Sequence, residues 1–275
     1  MLNGDQIMNE DAENDFNSFL SGYCASVSDG MNDRWGKYKP EIYDNNVSET
    51  VGGLLARQAT LAVEFAGNPG IWNPHIAPLI LRCMTEAHIT LAWILEEPSK
   101  RSREYIRFGL GQEKLFIEYL ENESDSMPEG EEDLVIEKMV EVRKDWLHSQ
   151  LQEWAIEINV GSWSGKSARV MAQEAGCESL YKFVYVPFSG PVHNMWQHVG
   201  IYNVEPCVNP LHKYHKVPVV SNFDPHPDFL YRSSKYVSRT YKLIEDKLGL
   251  VSDITLPVDY FAAHWPNFGD EEDAE

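Results

Sequence analysis

Basic residues are scarce in this chain. Its 23 lysines and arginines face 43 aspartates and glutamates, a formal net charge of −20 over 275 residues. Long apolar runs are also missing: the best candidate, residues 79–95, is interrupted by Arg82 and Glu86, which argues against a membrane-spanning helix. Cysteine is limited to Cys24, Cys83, Cys177 and Cys207, with no CxxC spacing, so free thiols in a reducing cytoplasm are expected. The first residues are acidic and lack a basic flank with an apolar signal core. No alternating strand pattern and no internal repeat stands out.

The acidity is unevenly spread. Residues 1–15 and 270–275 carry five acids each and no base, and residues 121–141 carry nine acids against Lys138. Without these segments 24 acids and 22 bases remain, so the body is close to neutral and a polyanionic partner stays possible.

With 43% hydrophobic and 12% aromatic residues, the chain can bury a substantial core. Apolar residues at helical spacing predict helices over about 14–39, 48–66, 74–96 and 99–121, then a long one ending near Ile158. Asn73-Pro74 reads as a cap followed by a first-turn proline. Shorter helices are expected near 167–175 and 178–186, and Ser189 is expected to cap another that begins by His193. Residues 201–226 read as a long irregular segment, and 227–248 as the last firm helix. The expected fold is all-α, a multi-helix bundle around a central buried helix at about 74–96. The expected division is an acidic arm plus helix (1–45), one helical domain (46–250) and a C-terminal segment with an acidic tail (251–275).

The most informative feature lies in that central helix. Arg82 and Glu86, four residues apart on one face, interrupt a stretch that is apolar nearly all round. A charge in such a place needs a partner. The pair is therefore either an internal clamp or one side of a pocket. His193, expected in the first turn of a helix where the dipole disfavours the imidazolium, is the best third member. Tyr181 and Tyr185 are candidate lining residues or core aromatics.

Other patterns say less. Arginine followed at short spacing by histidine occurs as Arg82…His88 and Arg143…His148, which chance alone produces at this composition. Within one helix that spacing also turns the two side chains apart. Cys207, His212, His215 and His226 crowd one loop without a CxxC or HExxH frame, and no metal or cofactor is expected. The row Arg232, Lys235, Arg239, Lys242 can meet phosphates or simply face solvent. Residues 161–167 end like a phosphate-binding loop but lack its spacing.

Three segments occur in a particular order: Leu81-Arg82-Cys83-Met84-Thr85-Glu86, then 163–172 with Trp163, Gly165, Arg169, Met171 and Ala172, then Tyr181 through Ser189 to His193. In this the chain resembles a microbial all-helical family of unknown function, DUF5677, over roughly residues 50–200. The resemblance implies a helical fold and marks Arg82, Glu86, Tyr181, Ser189 and His193 as characteristic polar positions, with Arg169 in the middle segment. It also implies a distant likeness to HEPN-type and abortive-infection proteins, although here arginine and histidine are not close on one helix. The leading expectation is a metal-independent endoribonuclease in a defence or toxin role. His193 would be the base, Arg82 would stabilise the phosphorane charge, Glu86 would orient, and Tyr181, Ser189 and Arg169 would bind. Two alternatives stand beside it: a non-enzymatic interaction or sensor module with a structural Arg–Glu–His cluster, and a small anionic-ligand binder. Expected partners are RNA or a protein, with homo-oligomerisation possible and no membrane.

Overall fold

The computed structural model describes residues 10–41, 44–127, 134–150 and 161–266. Helices dominate. Helix α1 (Glu10–Lys37) ends ahead of Pro40, and α2 (Asn45–Ala66) follows. A single 3₁₀ turn (Pro69–Ile71) leads to α3 (Ala77–Ile94). Asn73 organises that entry, its side-chain oxygen accepting from the His75 and Ile76 N–H groups at 3.0 and 3.1 Å. The capping chemistry expected there is thus present, about one turn earlier than the helix itself.

Helix α4 (Pro98–Asp125) starts on a proline at its first position, which loses no ladder hydrogen bond. Helix α5 (Leu134–Gln150) folds back on α4 through a small apolar contact of Leu110, Ile117 and Leu147. The continuation expected toward Ile158 lies outside the described residues. Helix α6 (Ala168–Glu174) is capped by Ser167, whose Oγ accepts from the Val170 N–H at 3.4 Å. Next come α7 (Glu178–Leu180), a π-helical turn (Tyr181–Tyr185) and α8 (Val186–Val192), running on without a break. Helix α9 (Trp196–Tyr202), strands β1 (Val204–Pro206) and β2 (Lys216–Pro218), α10 (Pro227–Leu248) and α11 (Pro257–His264) complete the chain.

Helix α3 sits at the centre. It packs on α2, α4, α6, α8, α10 and the π turn, and Leu81, Met84, Ile89, Leu91 and Ile94 are almost wholly buried. Phe19, Tyr23 and Val27 of α1 and Phe261 of α11 belong to the same core. The architecture is all-α with a central buried helix. Among the described residues no helix is long and apolar enough to cross a membrane.

Three features depart from the sequence reading. Residues 204–218 are not wholly irregular: β1 and β2 pair antiparallel, Val204 opposite Pro218. Helix α11 was hidden by its length. Ser189 does not start a helix; it lies inside α8 and donates from Oγ to the Tyr185 carbonyl at 2.7 Å. Pro187 explains the difference. It sits in the first turn of α8, directly after the π turn, where the change from π to α spacing already interrupts the ladder that its missing N–H cannot join. Asn194, with φ of 50°, ends the helix in the left-handed region that asparagine tolerates.

Helix α10 is locked to its neighbours by buried polar groups. His88 of α3 is 4% exposed, its Nδ1 lying 3.0 Å from Thr240 Oγ1. Burial, and secondarily the charge of Arg239, pushes the imidazole down to about 4 from 6.5. A histidine held neutral in the fold contributes its full stability above 6.5 and loses it as pH falls through 4, because the unfolded chain takes up the proton first. Urea unfolding should therefore show about 2–3 kcal/mol lost between pH 7 and pH 4.5. His88→Gln should remove most of that loss.

Candidate functional site

Helix α3 presents Arg82 to the π turn and α8. The Arg82 side chain is 10% exposed and that of Glu86 is 56% exposed; their closest approach, Nη2 to Oε2, is 3.8 Å. The ion pair is therefore half at the surface, not the buried pair that the apolar helix suggested. An exposed carboxylate at that distance contributes little. The main partner of Arg82 is an aromatic face: its Cζ lies 3.3 Å from the centroid of the Tyr185 ring. A buried guanidinium over a ring is held by the quadrupole and by dispersion. Its Nε is buried with no hydrogen-bond partner among the described residues.

Tyr181 completes the stack, its ring 5.0 Å from that of Tyr185. Spacing of four in the π turn places both rings on the Arg82 side. Burial raises the Tyr185 phenol, the Glu86 charge raises it further, and Arg82 pulls it down. Tyr105 is also raised, by burial first and then by Glu86. Both phenols are thus neutral donors beside an exposed carboxylate.

The remaining sequence-marked residues lie elsewhere. His193 caps the C-terminus of α8 and is exposed; among the described residues its side chain has no hydrogen bond or ion pair with Arg82 or Glu86. The expected position in a first turn is replaced by one at a helix end, because α8 already spans Ser189. Arg169 is exposed, and its charge acts on Glu178. The rest of the middle segment is packing: Trp163 stands edge-on to Trp93 and Tyr105, at 5.4 and 5.1 Å, while Met171 and Ala172 are buried. Glu174 accepts from the Trp93 indole at 2.7 Å and pairs with Lys166, fastening α6 to α3. Arg82 and His88 face different neighbours, Tyr185 and Thr240, so that arginine–histidine spacing builds no shared site.

A second constellation was visible in sequence only as a row of charges. Arg232, Lys235, Arg239 and Lys242 of α10 line a groove of about 560 Å³, walled by Leu180 and Val184 on one side and Val258 of α11 on the other. Its lining carries one acid, Asp228, which accepts from Arg232 Nε at 2.6 Å. Lys235 lies over the Tyr231 ring, 4.0 Å from its centroid. Tyr236, mostly buried, is raised by burial against the lowering pull of Arg232 and Arg239. From Arg232 to Lys242 the row runs about 15 Å along the helix.

Fold and sites together define an all-helical protein with a guanidinium–tyrosine junction at its centre and a cationic groove along a late helix. The chain belongs to the family of unknown function DUF5677, whose model matches residues 11–206. The match takes in α1 and the Arg82–Tyr185 junction and stops before α10. No curated protein matches the chain, and no solved structure does.

Proposed function

We propose that the protein binds single-stranded RNA by its phosphate backbone along α10, as a helical binding module. The observation that carries this is the α10 row: four cations over about 15 Å, bordering a groove with one carboxylate. A row of this length suits successive phosphates of a strand better than it suits one isolated anion. The apolar walls from Leu180, Val184 and Val258 leave room for bases without selecting among them.

Arg82, Tyr185 and Tyr181 act in this reading as the joint that fixes the π turn, and hence the Leu180–Val184 wall, against α3. Ribonuclease chemistry finds less support. The carboxylate lining the groove is engaged by Arg232, and His193 stands at the end of α8 away from any bond to Arg82.

A fluorescein-labelled single-stranded RNA oligonucleotide, titrated with the full chain, should give saturable anisotropy at low salt. The RNA should remain intact on a denaturing gel. Absence of binding would overturn the reading, and cleavage lost in His193→Ala would replace it with the ribonuclease one.

A further inference from the structure

We propose that Cys207, His212 and His215 bind a divalent transition-metal ion of the zinc class through three protein donors, leaving a fourth position open to solvent. The three residues supply donor atoms that lie within 4.8 Å of one another. The hairpin makes this possible. Pairing of β1 with β2 closes the loop so that Cys207 stands opposite His215, its N–H donating to the His215 carbonyl at 2.9 Å. His226, the fourth candidate of the same stretch, is drawn off to cap α10.

The distances suit one shared ion. Cys207 Sγ and His212 Nδ1 are 3.7 Å apart. With metal–sulfur and metal–nitrogen bonds of about 2.3 and 2.05 Å, tetrahedral geometry puts two such donors about 3.6 Å apart. The surroundings also suit a metal-bound thiolate: the Asn209 N–H donates to Sγ at 3.5 Å. Tyr214, between the histidines, is held at φ 63°, an unfavourable conformation for a bulky side chain that turns the chain between the two rings.

Donor type selects the metal. One thiolate with two imidazoles favours zinc-class ions over magnesium or calcium, which take oxygen. Cys207 is half-buried while His212 and His215 are exposed, so the open position faces solvent, flanked by the exposed Leu211 and Tyr214. The site begins one residue beyond the family match and is separate from the α10 groove.

The test is titration of the full chain, purified with chelator, first with Co²⁺ and then with Zn²⁺. We expect one Co²⁺ per chain, with thiolate-to-cobalt charge-transfer absorption and tetrahedral visible bands, both erased when Zn²⁺ displaces the cobalt. Cys207→Ser should abolish the charge-transfer band, and His215→Ala should weaken binding by at least about tenfold. Cys83→Ser, which alters the exposed cysteine of α3, should change neither. A band that persists in Cys207→Ser, or uptake no greater than that of the Cys207→Ser/His212→Ala/His215→Ala variant, would overturn the proposal. Cys207, His212 and His215 lie on a surface hairpin, and unchanged far-ultraviolet dichroism would show that the variants fold.

Discussion

Replacing Lys235 and Arg239 together by glutamate should weaken RNA binding at least about 100-fold, on the order of 1.4 kcal/mol for each reversed charge. Both side chains are exposed on α10. The reversal turns a groove lining of four cations and one acid into one of two cations and three acids. Because the protein already carries −20, the reversed groove would repel the strand along with the rest of the surface. Anisotropy with the same RNA measures the loss. Retention of near-wild-type affinity would mean that the strand lies elsewhere.

Glu245→Ala should destabilise the protein by about 3 kcal/mol, more than any exposed charge substitution. Arg34 is 1% exposed and reaches Glu245 Oε1 at 2.5 Å, the Gly30 carbonyl at 2.7 Å and the Tyr241 face at 4.5 Å. This pair joins α1 to α10, and Tyr241 strengthens the joint by donating to the Val27 carbonyl at 2.5 Å. Removing the carboxylate leaves a buried cation with only a carbonyl and a ring. Alanine suits a helix interior, so propensity does not supply the loss. The double variant Arg34→Met/Glu245→Leu should recover most of the stability, since an apolar pair needs no compensation. Denaturant unfolding of the three variants gives the coupling. Equal destabilisation by the single and double changes would contradict this view of the pair.

Both predictions depend on α10, and the sequence showed half of what α10 does. The 3,4,3 spacing of its cations was legible, because periodicity alone places them on one face. The groove was not, because its walls come from Leu180 and Val184, some fifty residues earlier, and from Val258 of a short helix with too few turns to announce itself.

Arg82 shows the same division. An arginine in an apolar helix had to find a partner, and that much followed from the cost of burying charge. Which partner it found depended on a π turn. Two residues past Tyr185, Pro187 sits in a run of proline and glycine that normally ends helices; here it falls at the start of α8 and the helical path continues. His193 stands at the end of α8 for the same reason. A position in a first turn presumes a break at Ser189 that the chain does not make. Cys207, His212 and His215 are near one another in sequence but form no recognised ligand frame. What unites them is the strand pairing Val204–Pro218, three residues a side and too short to leave an alternating pattern.

The central claim, that a phosphate backbone lies along the α10 row, is tested most directly by the salt dependence of RNA binding. Each phosphate neutralised on a single strand contributes about 0.7 to the slope of log affinity against log salt. With Arg232 held by Asp228, Lys235, Arg239 and Lys242 predict a slope near −2 for the wild-type chain, shallower by about 0.7 in Lys242→Ala. A slope near zero, or one that Lys242→Ala leaves unchanged, would contradict it.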